Sequence, residues 1–140
     1  MHSGGYLQNK NLQREDSRKR ILIVDDDLVT LGILEKIFLS EGYWVAKAIN
    51  GKEALVIAEE FQPDIIILDI VMPVMDGGDA FEHLRKNPRT KNIPVLFQTS
   101  LISKQEQAGK FANDQHFLAK PNDGEKLLEE VERCLMRERI

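Results

Sequence analysis

The sequence is poor in cysteine and has no long apolar segment, and each shortage excludes a class of protein. Cys134 is the only cysteine among 140 residues, so the chain can form neither an intrachain disulfide nor a cysteine–histidine metal site. No apolar stretch approaches the roughly 20 residues of a membrane span. Residues 1–19 also lack the apolar core of a secretory signal. These shortages favour a cytoplasmic protein with no membrane segment.

An excess of positive charge is also missing. The formal net charge is −4, which provides no general attraction for nucleic acid. We therefore expect no direct binding to nucleic acid or to membranes. Hydrophobic residues make up 42% of the chain, which is enough to build the core of one layered domain. We expect a flexible tail over residues 1–19 and one folded domain over residues 20–140, and the sequence leaves open whether the tail has a function.

Four apolar runs each stop at a polar residue. They are residues 21–24 before Asp25, 65–68 before Asp69, 94–98 before Thr99 and 117–119 before Lys120. If these runs are strands of one parallel sheet, their carboxyl ends open on the same edge, where ligands bind in such sheets. The pattern therefore gathers carboxylates, a hydroxyl and an ammonium group into one pocket.

Helical patterns alternate with these apolar runs. Apolar residues recur at helical spacing in five segments, and a further strand is predicted over residues 43–48. The helical segments lie around residues 31–38, 54–61, 80–84, 103–112 and 127–135. The segment 103–112 has the weakest apolar face. Uninterrupted alternation predicts a five-stranded parallel sheet with right-handed crossovers and helices on both faces.

Three carboxylates on one sheet edge repel one another. Two unit charges ~4 Å apart repel by roughly 4 kcal/mol at an effective dielectric near 20, so a cation or a proton must share the pocket of Asp25, Asp26 and Asp69. Because only oxygen ligands are in sight, Mg²⁺ is the expected ion. Lys120 could pair with Asp69 at rest and with an anionic group when substrate arrives. A carboxylate can also accept a phosphoryl group as an aspartyl phosphate, so the site has the parts needed for phosphoryl transfer.

Four motifs, in this order, resemble the receiver domains of response regulators in two-component signalling. They are residues 21–27, 69–77, 94–100 and the pair Lys120-Pro121. The resemblance covers residues 20 to about 136 and implies a flavodoxin-like, doubly wound fold with strand order 2-1-3-4-5 and five helices on both faces. It also implies that Asp69 is the phosphoacceptor. By the same resemblance, Asp26, Asp69 and the backbone carbonyl of Val71 ligate Mg²⁺, and Asp25 acts mainly through a metal-bound water.

The resemblance also implies a phosphoryl-binding and switching set. Thr99, Lys120 and the backbone N–H of Ser100 would contact the phosphoryl group. Phe117 aligns with the switch aromatic of the family, although a permanently buried core phenylalanine is an equal alternative. Phosphorylation would then reshape the face formed by residues 103–112, the fifth strand and the last helix.

The partners implied by the family are a histidine kinase or histidine phosphotransfer protein as donor and a downstream protein target bound through that face. We expect a monomer at rest that can dimerise on phosphorylation. The residues leave open whether the chain is a stand-alone regulator or part of a larger regulator or hybrid kinase. They also leave open the cognate kinase, the target and the pathway.

Two other functions are alternatives to a phosphoacceptor receiver domain. The chain could be a degenerate receiver that acts only by protein interaction, or a Mg²⁺-dependent phosphohydrolase with an aspartyl-phosphate intermediate. The second is disfavoured because Val71, and not an acid, lies two residues after Asp69. Val71 and Leu101, which lies two residues after Thr99, flank the predicted pocket with apolar side chains. Because neither side chain can hydrogen-bond an attacking water, we expect slow hydrolysis of the aspartyl phosphate. We interpret Asp27 as an N-terminal helix residue, and we expect no enzymatic turnover.

Overall fold

The computed structural model describes residues 18–99, 116–119 and 124–138. Five strands form one sheet in which every described pairing is parallel. They are β1 (Arg20–Val24), β2 (Trp44–Ala48), β3 (Ile65–Leu68), β4 (Val95–Thr99) and β5 (His116–Ala119). The strand order is β2-β1-β3-β4-β5, which confirms the predicted order. β3 is therefore central, with β1 on one side and β4 on the other.

Four helices connect or follow the described strands. They are α1 (Leu28–Ser40), α2 (Gly51–Phe61), α3 (Gly77–Lys86) and α4 (Gly124–Glu138). The helix predicted over residues 103–112 lies outside the described residues. None of the four is long and apolar enough to cross a bilayer.

The buried side chains form two clusters, one on each face of the sheet. Leu22 and Val24 of β1 belong to the cluster that includes α2 and α3 residues such as Phe61. Ile21 and Ile23 belong to the opposite cluster, which includes residues of α1 and α4. Because successive side chains of a strand point to opposite faces, these alternating assignments confirm that helices cover both faces. Both faces of the sheet are therefore covered by apolar side chains that exclude water.

Tyr43 and Cys134 both lie in the cluster on the α1 and α4 side. The Tyr43 ring meets Phe38 edge to face, with ring centroids 5.2 Å apart. Burial, and then the charges of Glu132 and Glu41, raise the pKa of Tyr43 to about 12. The phenol therefore keeps its proton near neutral pH. Cys134 is buried on the amphipathic helix α4.

The helix predicted around residues 80–84 begins earlier in the structure. Gly77 and Gly78, which precede that predicted segment, form the first residues of α3. Asp76 is the N-cap, and its side chain accepts a hydrogen bond from the backbone N–H of Asp79 at 2.9 Å. This bond satisfies a backbone donor that would otherwise have no partner within the helix. A well-placed cap thus starts the helix despite the low helix propensity of glycine.

Candidate functional site

The predicted acid cluster is assembled at the carboxyl edge of the sheet. Asp25, Asp26 and Asp69 each offer a carboxylate oxygen, and these three oxygens lie within 4.8 Å of one another. Asp25 follows β1 and Asp69 follows β3, and β1 pairs with β3 in parallel. The cluster therefore arises because two adjacent strands end in aspartate at matching heights.

Burial differs among the three acids. Asp25 is 2% exposed and Asp69 is 8% exposed, whereas Asp26 lies at the surface. Two carboxylates thus sit in largely desolvated positions while a third borders on solvent. This arrangement favours the binding of a hard cation, because a cation offsets the mutual repulsion of the acids.

Backbone hydrogen bonds fix the two buried acids. The N–H of Asp25 donates to the Ala48 carbonyl at 3.1 Å, and the N–H of Asp69 donates to the Val24 carbonyl at 3.1 Å. These bonds continue the sheet ladder past the ends of the strands. The sheet itself therefore holds the main chain at the site.

The side-chain oxygens of these acids also accept local bonds. Asp25 Oδ1 accepts from the backbone N–H of Asp27 at 2.9 Å. Asp69 Oδ1 accepts from the backbone N–H of Val71 at 3.4 Å, a longer and weaker contact. Of the two buried carboxylates, Asp69 thus has the looser local bond.

Asp27 does not belong to the cluster. It is the N-cap of α1, where its Oδ1 accepts from the Val29 N–H at 3.0 Å and its Oδ2 from the Thr30 hydroxyl at 2.9 Å. Both oxygens are therefore used to start a helix. The interpretation of Asp27 as an N-terminal helix residue is confirmed.

Gly77 supports Asp69 in a way that sequence reasoning missed. Its N–H donates to the Ile70 carbonyl at 2.7 Å, and a Cβ added at Gly77 would overlap the backbone carbonyl oxygen of Asp69. The requirement at this position is for space, because the start of α3 lies directly against the Asp69 backbone.

The donor set fits Mg²⁺. At a metal–oxygen distance of about 2.0–2.1 Å, ligand oxygens on opposite sides of an octahedral ion are about 4.2 Å apart. Neighbouring ligand oxygens of such an ion are about 2.9 Å apart, and the three acid oxygens, which lie within 4.8 Å of one another, are close enough to share one ion after their side chains draw together. All three are hard carboxylate ligands, the type that Mg²⁺ prefers.

The remaining predicted site residues are described only in part. Thr99 is the last residue of β4 and pairs with Ala119, and Phe117 of β5 pairs with Phe97. Since β4 lies beside β3, the Thr99 backbone ends at the same edge as Asp69. Ser100, Leu101 and Lys120 lie outside the described residues, so their proposed contacts stay predictions.

Comparison with known proteins identifies the family. A family model described as the response regulator receiver domain matches residues 21–132. The chain belongs to this family. Receiver domains are phosphoryl-accepting signalling modules that bind Mg²⁺ through acidic residues, and the acid cluster of this receiver domain lies where such a site is expected.

Curated relatives include proteins of different lengths. This receiver domain is 36% identical over 119 residues to the DNA-binding dual master transcriptional regulator RpaA of Synechocystis, covering 84% of this chain and 49% of RpaA. It is 35% identical over 117 residues to protein PilH of Pseudomonas aeruginosa, covering 83% of this chain and 97% of PilH. The chain thus spans about half of RpaA and nearly all of PilH.

A solved structure supports the same fold. The CheY-like response regulator receiver domain protein from Methanospirillum hungatei JF-1 aligns with a TM-score of 0.79 at 29% identity, over 88% of this chain and 98% of that one. The similarity covers nearly the whole of a known receiver domain, which agrees with the flavodoxin-like topology described above.

Proposed function

We propose that this receiver domain accepts a phosphoryl group on Asp69 from a histidine kinase or a histidine phosphotransfer protein. In this proposal Mg²⁺ is held by Asp25, Asp26, Asp69 and the backbone carbonyl of Val71. The observation that carries the proposal is the approach of three carboxylate oxygens within 4.8 Å at one sheet edge. Without a cation or a proton, that arrangement is electrostatically unfavourable.

Position within the sheet favours Asp69 as the acceptor. It follows the central strand β3, so it has the acids after β1 on one side and the end of β4, with Thr99, on the other. Asp25 is more deeply buried and accepts the shorter local hydrogen bond, 2.9 Å against 3.4 Å. Asp69 is the more exposed of the two buried acids, 8% against 2%, so a donor reaches it more easily.

The transfer step exchanges one bond for another. A carboxylate oxygen of Asp69 attacks the phosphorus of a phosphohistidine on the donor. The P–O bond forms as the P–N bond breaks, and the electron pair of the broken bond stays on the imidazole nitrogen. Bound Mg²⁺ supplies charge neutralisation for the acids and the phosphoryl oxygens. The ladder bond from Asp69 to Val24 and the close approach of Gly77 keep the acceptor backbone in place.

Three residues complete the proposed phosphoryl site. Thr99, the Ser100 N–H and Lys120 contact the phosphoryl oxygens, and Lys120 supplies positive charge. Movement of Thr99 toward the phosphate makes room for Phe117 to rotate inward. The face of residues 103–112, β5 and α4 then binds a downstream protein or a second copy of the chain.

Slow turnover distinguishes this function from a phosphohydrolase. Val71 lies two residues after Asp69, and its side chain is apolar and 50% exposed. It offers no hydrogen bond to position a water for attack on the aspartyl phosphate. A long-lived phosphoryl group suits a signalling switch better than a hydrolytic enzyme.

The direct test is the intact mass of the protein after incubation with Mg²⁺ and acetyl phosphate. We expect the wild type to gain one phosphoryl group and Asp69→Asn to gain none. Asp79→Asn is the matched control, because Asp79 is an exposed aspartate in the first turn of α3 and outside the cluster. It should be phosphorylated like the wild type.

The outcomes separate the competing functions. No mass gain by a folded wild type would contradict the proposal and favour the degenerate interaction module. A mass gain followed by rapid, repeated release of phosphate would favour the phosphohydrolase. A stable gain that requires both Mg²⁺ and Asp69 supports the phosphoacceptor.

A further inference from the structure

The loop between β3 and α3 contains a residue in a strained conformation. Val74 has φ of +71°, and the Met75 N–H donates to the Pro73 carbonyl at 2.7 Å. A hydrogen bond between residues two apart around a positive φ is the pattern of a rare, strained γ-turn. β-Branched residues seldom adopt positive φ. The Val74 side chain is also 76% exposed, so burial does little to offset the strain.

Gly51, the first residue of α2, holds this turn from outside the loop. Its N–H donates to the Met75 carbonyl at 2.8 Å. A Cβ at Gly51 would lie 2.5 Å from that oxygen and 2.9 Å from Met75 Cγ. Contacts this close leave no space for any side chain. Gly51 therefore holds Met75, the residue that follows Val74 in the turn, by a hydrogen bond and by leaving room for its backbone.

The near side of the loop is tied as well. The Gly77 N–H donates to the Ile70 carbonyl at 2.7 Å. Val71, whose carbonyl is a proposed Mg²⁺ ligand, lies in the sequence between Ile70 and Met75, the two loop residues whose carbonyls accept these hydrogen bonds. Strained conformations persist where the surrounding structure over-determines them, and they concentrate at functional sites. The loop that carries Val71 is fixed in this manner.

We propose that Gly51 is a positioning residue of the acid site. By holding the Met75 carbonyl it maintains the γ-turn at Val74, and the maintained turn keeps the Val71 carbonyl beside the acids. The inference rests on the proposed metal site. Gly51 lies 18 positions before Asp69 and is not one of the proposed ligands, so it acts on the metal site only through the loop.

Cation binding by the apoprotein measures this role directly. Mn²⁺, a hard divalent ion with a free-ion EPR signal, is the probe, and circular dichroism verifies folding at the temperature used. We expect Gly51→Ala to weaken Mn²⁺ binding by about tenfold, the lower end of the effect of removing a supporting contact at a metal site. Gly32→Ala is the control, because a Cβ at Gly32 would have no atom within 4 Å apart from its chain neighbours and the backbone of its own helix. It should bind Mn²⁺ like the wild type and melt at the same or a higher temperature.

Val74→Gly provides a second variant that should fold. Glycine adopts positive φ freely, so we expect a melting temperature equal to or above that of the wild type. We also expect weaker Mn²⁺ binding, because the loop gains freedom around Val71. A merely structural role would not combine retained stability with lost affinity. In the Gly51→Ala background, Val74→Gly should recover part of the lost melting temperature, since the relaxed turn can move away from the new methyl group.

The results distinguish this inference from the proposed function. A folded wild type that binds no Mn²⁺ contradicts the metal site and the inference with it. If the wild type binds but Val74→Gly and a folded Gly51→Ala bind equally well, the inference alone is overturned. If Gly51→Ala does not fold, unchanged affinity in Val74→Gly is sufficient to overturn it, and weakened affinity with retained stability supports it.

Discussion

The two edges of the sheet are built on opposite principles. At the amino edge, Arg20 is 3% exposed, and its guanidinium Nη1 donates to the Phe61 carbonyl at 2.7 Å. Its backbone N–H donates to Asp64 Oδ2 at 2.8 Å, and its carbonyl accepts from the Asp64 N–H at 2.8 Å. Each of these donors meets an acceptor. This edge gains stability without any ligand.

The carboxyl edge instead gathers groups that disfavour one another. Asp25, Asp26 and Asp69 bring like charges together, and the adjoining loop contains a valine at positive φ. Strain of this kind concentrates at functional sites, where the surrounding structure maintains it, and a bound cation would offset the repulsion among the acids. The comparison indicates that the amino edge stabilises the fold, while the carboxyl edge holds acidic groups that could bind a metal ion.

Gly77→Ala should give the largest effect, because it damages the carboxyl edge through packing. The new methyl group would overlap the Asp69 backbone carbonyl, so we expect a loss of about 3 kcal/mol in the free energy of unfolding. Urea denaturation measures the loss. The adjacent Gly78→Ala is the control, since its nearest contact is at an ordinary 3.5 Å, and it should not destabilise the protein. Equal stability of the two variants would refute the packing argument.

Arg20→Met should damage the amino edge and leave the chemistry intact. Loss of the guanidinium removes a charged donor from the buried Phe61 carbonyl, and we expect a loss of about 2 kcal/mol in the free energy of unfolding. Phosphorylation by acetyl phosphate should still reach the wild-type extent at a temperature where the variant is folded. A stable variant that no longer accepts phosphate would break the distinction between the edges.

Asp27→Ala tests whether proximity to the acid cluster is enough to make an acid functional. Since both oxygens of Asp27 cap α1, we expect a loss of about 1 kcal/mol in stability and no loss of phosphorylation. Asp27→Ser retains a capping oxygen and should recover most of the stability. Should Asp27→Ala abolish phosphorylation while folded, Asp27 would have to be counted among the site residues.

Val71→Asn should have the smallest energetic effect and act only on the chemistry. An amide two residues after Asp69 can hydrogen-bond an attacking water, so we expect the aspartyl phosphate to decay several-fold faster. Val71→Ala keeps an apolar side chain and should not show this acceleration. The decay is followed by intact mass after removal of the phosphodonor. An unchanged or slower decay in Val71→Asn counts against the hypothesis of water exclusion.

The strands and the acid cluster could be predicted because their signals are local. Each apolar run ends at the polar residue that lies at the sheet edge, as Asp25 and Asp69 show. The cap role of Asp27 was also predictable, because capping depends on residues only two or three positions away. The end of α1 has a local signal as well, because Gly42, two residues after Ser40, has φ of +90°, which suits glycine at a helix end.

The tertiary supports of the site could not be predicted. The contact between Gly51 and Met75 joins segments 24 residues apart, and nothing local distinguishes this glycine from one that only opens a helix. Val74 gave no signal either, because valine disfavours the conformation that it adopts. Such features arise where packing overrides local preference. Within the described part of the chain, the loop that follows Asp69 contains such features.

The most direct test of the central claim is to locate the phosphoryl group. The protein is phosphorylated with acetyl phosphate and Mg²⁺ and reduced with borohydride, which converts an aspartyl phosphate to homoserine, and peptides are then sequenced by tandem mass spectrometry. The account predicts a single converted residue, Asp69. Conversion at Asp25 or Asp26 in place of Asp69 would contradict it.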